Sequence, residues 1–286
     1  MHASLRHFGI MGAGQMGAGI AQVAAQHGYN VILIDRTQAS LDRASGGIRN
    51  SLGRLIKKGT LTEEASADIQ SRITTTLDVS AFAEADLVVE AIAEKLEPKL
   101  ELLRRLAAIV PETTILASNT SSISITRLAA ATRHPENFMG MHFMNPVPMM
   151  TLCELIKGLA TSDETVAKVT AVAQAMGKTT ILAADYPGFI VNRILIPMIN
   201  EAVFALMEGL GTPEDIDSAM KLGCNQPMGP LALADLIGLD TVLSIMEVLH
   251  NGTGDSKYRP CPLLRTYVNA GWLGRKTSRG FHRYSA

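Results

Sequence analysis

Apolar residues in this chain follow two rhythms, and the change between them falls near residue 186. Up to that point, short unbroken apolar runs alternate with amphipathic stretches. Residues 8–12, 31–35, 87–92, 114–118 and 138–143 read as buried strands. Residues 15–27, 40–58, 62–70 and 96–109 carry helical spacing between them. This alternation predicts a doubly wound, mostly parallel α/β sheet. Residues 151–156 and 179–183 are expected as further strands on its edge, flanking a helix over 163–176. Asp185-Tyr186-Pro187-Gly188 then punctuates the chain. Beyond it nearly everything is helical in period, over 189–209, 213–222, 231–237, 240–250 and 262–270. The expectation is an α/β domain over 1–185 followed by a smaller all-α domain over 186–286.

Composition narrows the classes of function. Of the 286 residues 47% are hydrophobic and 19% charged, enough apolar material for a large core. A formal charge of −1 argues against a nucleic acid or an anionic membrane held by bulk electrostatics. Any phosphate must therefore be bound by local groups. The first apolar run leads straight into a glycine turn, which leaves no room for a cleavable leader. The long apolar stretch 189–210 is interrupted by Asn192, Arg193, Asn200, Glu201 and Glu208, more polar groups than a membrane helix tolerates. Cys153, Cys224 and Cys261 are odd in number and far apart, with neither a disulfide framework nor a zinc pattern. A soluble, cytoplasmic protein with reduced thiols and no metal is expected.

Gly12-Ala13-Gly14-Gln15-Met16-Gly17 is a G-x-G-x-x-G turn between an apolar strand and an apolar helix. That context is what dinucleotide binding requires, and it predicts a Rossmann domain. Gly12 permits the tight turn, Gly14 lets backbone approach a pyrophosphate, and Gly17 allows close helix–strand contact. The helix start supplies N–H donors and partial positive charge to the phosphates. Asp35 ends the second strand, where an acid binds adenosine ribose hydroxyls and repels a 2′-phosphate. NAD is thereby favoured over NADP, although the neighbouring Arg36 weakens the preference.

His142 falls near the end of a predicted strand, and Glu154 lies twelve positions on among apolar neighbours. An adjacent strand would place the carboxylate against the imidazole, and a buried carboxylate needs such a partner. Oxidising a secondary alcohol needs a base for the hydroxyl proton, and an imidazole held by a carboxylate suits that task. On the residues alone, a single His–Glu pair is more often structural than catalytic.

Four motifs in order bear on the choice. The glycine turn, Asn119-Thr120-Ser121-Ser122, His142-Phe143-Met144-Asn145-Pro146 and Pro187-Gly188-Phe189-Ile190-Val191-Asn192-Arg193 resemble the short-chain L-3-hydroxyacyl-CoA dehydrogenases. The bacterial 3-hydroxybutyryl-CoA branch is the most similar, and Gly229-Pro230-Leu231 and Gly274-Arg275-Lys276-Thr277 extend the resemblance over nearly the whole chain. It implies reversible oxidation of (S)-3-hydroxyacyl-CoA with NAD. His142 would be the general base, Glu154 its orienting partner, Ser121 a contact to substrate oxygens, and Asn192 a donor to the 3-oxygen from a site between the domains. Cofactor contacts would map to Asp35, Glu94, Lys99, Ser121, Asn145 and Lys276, and acyl-CoA contacts to Ser51 and Lys58. Arg54, Lys57 and Lys58 share one side of a helix, where they either meet CoA phosphates or form an ordinary solvated face.

Some positions depart from the family pattern: Met144 replaces a usual Phe, His282 a usual Tyr and Ser278 a usual Gly. Two other readings stand beside the main one. The same architecture serves dehydrogenases of free hydroxy or sugar acids, and a silent nucleotide-binding protein is the other alternative. Retention of Ser121, His142, Glu154 and Asn192 together speaks against the latter. The helices from residue 189 onward carry apolar residues on more than one side, which predicts a homodimer through the helical domain.

Overall fold

In the computed structural model, which describes residues 5–284, the first strand β1 (His7–Met11) is buried from Phe8 onward. Burial on both faces is what a strand between two helical layers requires. The chain continues through α1 (Gln15–Gln26), β2 (Asn30–Ile34), α2 (Gln38–Lys57), α3 (Glu63–Ser71) and β3 (Ile73–Thr76). There follow β4 (Leu87–Glu90), α4 (Leu96–Ile109), β5 (Ile115–Ser118), α5 (Ile125–Ala129) and β6 (Phe138–Phe143). The sheet is completed by β7 (Leu152–Lys157) and β8 (Thr179–Ala184), with α6 (Asp163–Ala175) between them.

These strands form one sheet in the order β3-β2-β1-β4-β5-β6-β7-β8. Every neighbouring pair is parallel except β6 and β7, which are antiparallel. The doubly wound, mostly parallel sheet expected from the alternation is the one found. Chain order reverses between β1 and β4, and such reversals open a crevice at the carboxyl ends of the strands.

Local chemistry explains where the helices begin. Thr37, Thr62 and Ser162 each accept a backbone N–H from three residues ahead, the signature of an N-cap. The core beneath them includes Phe8, Ile10, Ile20, Ala24, Leu33 and Met141. Two elements lie outside the sequence expectations. Strand β3 is only half-buried at the sheet edge, so its Thr-rich run lacks the apolar alternation that marks a strand. Helix α5 has five residues, too few for a periodic signal. Asp185 holds its start: the carboxylate accepts Ser124 Oγ at 2.8 Å, Ile125 N at 2.9 Å and Thr126 N at 2.8 Å.

The chain divides between Asp185 and Tyr186 into two compact units. The second holds α7 (Val191–Met207), α8 (Pro213–Cys224), α9 (Pro230–Ile237), α10 (Leu239–Thr253) and α11 (Pro262–Asn269). Its own core gathers Ile199, Val203, Leu231, Leu239, Met246 and Leu264. Among the described residues no helix is long and apolar enough to cross a membrane.

Buried acids fasten the tail of this unit. Asp217 accepts Leu231 N (2.8 Å) and Ala232 N (3.0 Å) at the start of α9, and its Oδ2 lies 2.8 Å from His282 Nε2. Asp235 accepts Phe281 N, His282 N and Tyr284 Oη, each at 2.9 Å. The His282 imidazole thus has a carboxylate partner of its own. Ser278 adopts φ 56° and ψ 10°. A Cβ is strained in that left-handed region. The side chain is exposed, so Ser278→Gly removes strain without losing packing. It should raise stability by roughly 0.5–1 kcal/mol. Thermal unfolding tests this, and a lower Tm in the variant would rule out relief of strain at that position.

Candidate active site

The glycine turn occupies the crevice where strand order reverses. Gly12 has φ 109°, and a Cβ there would come within 2.6 Å of the Ala91 carbonyl oxygen. At Gly17 a Cβ would collide with the Gly12 carbonyl, so the start of α1 and the end of β1 touch backbone to backbone. Gly14 differs, since a Cβ there would meet nothing within 4 Å. That open space lies beside a helix start that no side chain caps, leaving its first N–H groups to an anion. Asp35 closes the turn: one carboxylate oxygen accepts Ala13 N at 2.8 Å and the other Arg36 N at 2.7 Å. A carboxylate has about four acceptor positions, so capacity remains for hydroxyls.

The second cluster sits at the ends of β4, β5 and β6. Glu90, at the end of β4, is fully buried. Its Oε1 accepts Lys99 Nζ at 2.5 Å and Ile92 N at 2.7 Å, and its Oε2 accepts Ser118 Oγ at 2.6 Å. Lys99 is only 1% exposed and also lies 3.3 Å from Glu94 Oε2. Glu94 Oε1 in turn accepts Thr120 Oγ1 at 2.5 Å, Ser121 N at 2.8 Å and Ser121 Oγ at 3.2 Å. Ser121 is therefore placed by Glu94, and Glu94 by the ammonium behind it. Burial pushes the Glu94 carboxyl upward, but the Lys99 charge and the hydrogen bonds from Thr120 and Ser121 outweigh it. The net result is a carboxyl that ionises below the usual glutamate range. Sequence reasoning missed Glu90; the available signal was an acid closing an apolar run, with a lysine one helix turn into the next element.

His142 and Glu154 face one another across β6 and β7, directly opposed in the antiparallel register. Imidazole Nδ1 lies 2.7 Å from Glu154 Oε2. Glu154 is completely buried and His142 is 7% exposed. With the carboxylate ionised, Nδ1 would donate, because such a group only accepts hydrogen bonds. Asn119 ties the two halves of the cluster together. Its Oδ1 accepts Phe143 N at 2.9 Å, joining the segment that presents Ser121 to the residue beside His142.

A groove of about 680 Å³ opens beside the glycine turn. Gly14, Gln15, Asp35, Ser51, Lys58 and Asn145 all border it, so the structure gathers six of the residues singled out by sequence. Arg43 and Arg54 join Lys58 there, whereas Lys57 does not. Neither His142 nor Ser121 borders this groove. Asn145, which borders the groove, lies three positions past His142 on the chain. In the second unit Lys276 pairs with Asp240, Nζ to carboxylate oxygens at 2.6 and 2.7 Å. Asn192 is the second residue of α7 and is half-buried.

Residues 7–186 match the 3-hydroxyacyl-CoA dehydrogenase NAD-binding domain, and residues 188–284 match the 3-hydroxyacyl-CoA dehydrogenase C-terminal domain. A protein from Deinococcus radiodurans named a probable 3-hydroxybutyryl-CoA dehydrogenase is 58% identical, covering 97% of this chain and 99% of its own. The 3-hydroxybutyryl-CoA dehydrogenase of Bradyrhizobium diazoefficiens is 54% identical over 99% of this chain and 97% of its own. The crystal structure of (S)-3-hydroxybutyryl-CoA dehydrogenase from Ralstonia eutropha superposes with a TM-score of 0.97 at 52% identity, covering 99% of this chain and 100% of that one.

The Glu94 environment has a measurable consequence. A carboxyl whose folded pKa lies below its unfolded value stabilises the fold above the ordinary range and loses that contribution as pH falls through the lowered value. Glu94→Gln should therefore flatten the acid limb of the stability–pH curve while leaving its neutral and basic limbs parallel to wild type. Denaturant unfolding between mildly acidic and neutral pH checks this, and identical acid limbs would show that Glu94 carries no linked proton.

Proposed function

The chain belongs to the 3-hydroxyacyl-CoA dehydrogenase family, and we propose that the His142–Glu154 pair drives its reversible oxidation of an (S)-3-hydroxyacyl-CoA to the 3-ketoacyl-CoA. The single observation that carries the reading is the 2.7 Å contact between a nearly buried imidazole and a fully buried carboxylate. His142 Nε2 takes the hydroxyl proton in oxidation and returns it in reduction, while Glu154 fixes the tautomer and balances the charge that appears on the ring. Bound NAD supplies the hydride acceptor at C4 of its nicotinamide. Ser121 contacts the substrate oxygens. An amide such as that of Asn192, the second residue of α7, can donate to a developing alkoxide without changing its own charge.

The residues present fit a dinucleotide. The open space at Gly14, the helix start without a side-chain cap and the Asp35 carboxylate suit pyrophosphate and ribose in turn. Asp35 places a negative charge where NADP carries its extra phosphate, so we take NAD as the cofactor. Gln15, Met16, Glu94 and Asn145 would add contacts from the same unit, whereas Lys99, 1% exposed and paired with Glu90 and Glu94, acts through Glu94 and not on the cofactor itself. Ser51 and Lys58, with Arg43 and Arg54 along the same groove, would receive the nucleotide end of CoA. The relatives' names point to a four-carbon acyl group. Exposed Ile194, Leu210, Leu222 and Leu236 on the helical unit support a homodimer through that surface.

Steady-state kinetics with acetoacetyl-CoA and NADH test the chemistry. His142→Ala should lower kcat by about 10²–10⁴-fold, the usual contribution of a positioned acid or base. Glu154→Gln should lower kcat by orders of magnitude with little change in NADH affinity. Full turnover in the histidine variant would remove His142 from the mechanism. Light scattering at micromolar concentration should give twice the 30.6 kDa chain mass, and a monomer there would refute the dimer.

A further inference from the structure

Lys178 stands between α6 and β8, outside every motif that the function absorbs, yet its side chain is almost fully buried at 8% exposure. Its Nζ donates to the Val147 carbonyl at 2.6 Å and to the Met150 carbonyl at 2.8 Å. No ion pair involves it among the described residues. A buried ammonium without a carboxylate is costly, and such a cost is tolerated only where its donors are well used. Burial lowers the readiness of this amine to hold its proton, and the neighbouring Cys153 thiol, itself pushed up to about 12 by burial, stays neutral. Charged N–H donors make short, strong hydrogen bonds to carbonyls, so the two contacts act as a clamp.

What the clamp holds is the connection from β6 to β7, residues 144–151, which joins the strand bearing His142 to the strand bearing Glu154. Met149 N and Met150 N both donate to the Pro146 carbonyl at 3.0 Å, giving a tight reversal. Val147 is buried and packs on Gly19 of α1, where a Cβ would come within 2.9 Å of it. With Val147 pressed onto α1 and two carbonyls drawn to Lys178, Asn145, Pro146, Pro148 and Met149 border the groove that also contains Ser51 and Lys58.

We propose that Lys178 is a positioning residue for substrate binding: by holding the Val147 and Met150 carbonyls it sets the 145–149 wall of the groove that receives the nucleotide part of the acyl-CoA. The proposal rests on the dehydrogenase reading for the identity of the ligand, but not for the clamp itself. Removing the ammonium leaves two inward-facing carbonyls without donors, and the segment would shift to hydrate them.

The test compares full-length Lys178→Met and Lys178→Arg with Thr114→Val, which removes a buried hydroxyl bonded to the Ala85 carbonyl and borders no part of this groove. Lys178→Met should raise KM for acetoacetyl-CoA about tenfold while kcat stays within about threefold of wild type. Lys178→Arg, which keeps cationic donors, should recover most of the loss. Thr114→Val should lower Tm without moving KM. Hydrogen–deuterium exchange of the peptide spanning 144–151 should quicken in Lys178→Met alone. A folded Lys178→Met with unchanged KM overturns the proposal, whether or not exchange changes. A Thr114→Val that raises KM equally also overturns it, because general destabilisation would then suffice. If wild type fails to turn over acetoacetyl-CoA, the dehydrogenase reading falls. The clamp is then decided by exchange, where unaltered protection of 144–151 in Lys178→Met overturns it and selective loss supports it.

Discussion

One reversal of strand direction decides what this molecule can do. Strands β1 to β6 all run the same way, and in such a sheet the chain returns through a helix before pairing again. Between β6 and β7 it returns directly, antiparallel, and the register sets His142 against Glu154. Directly opposed residues in such a pair point to one face, with side-chain origins close enough for contact. A slip of one position would send the carboxylate to the opposite face. The imidazole and the buried carboxylate would then lose their contact with each other.

The burial of Glu154 makes this arrangement a constraint on the fold. An ionised carboxylate with no exposure persists in a sheet only if donors meet it. Glu90 poses the same problem three strands away and solves it with an ammonium, a hydroxyl and a backbone N–H. Both carboxylate oxygens of Glu90 are occupied, Oε1 by Lys99 Nζ and Ile92 N and Oε2 by Ser118 Oγ. Two buried acids on one sheet thus hold different partners, one Lys99 and with it Glu94 and Ser121, the other the His142 ring.

Much of this was legible from the chain. The strand–turn–helix context of Gly12, Gly14 and Gly17 depends on local sequence, and the structure places each glycine at the close approach or open space expected of it. The unbroken apolar runs gave the sheet because burial on both faces leaves no polar alternation. Glu154 could be put on a neighbouring strand, since an acid flanked by Cys153 and Leu155 needs somewhere to bury its charge. What escaped notice is set by contacts distant in sequence. Lys178 reads as a solvated lysine after a helix, and only the fold shows it reaching back to Val147 and Met150. Asp217 reads as a surface acid of α8, although it receives two N–H groups from the start of α9. Strand β3 escaped because an edge strand with one partner needs no apolar face.

Asp185 is the last residue of the first unit, and its carboxylate is already spent on the opening turn of α5. The polypeptide therefore leaves that unit from a riveted point and not from a loose strand end. Its anchors, Ser124, Ile125 and Thr126, lie just downstream of Ser121, so one carboxylate fixes both the exit of the chain from this unit and the start of α5.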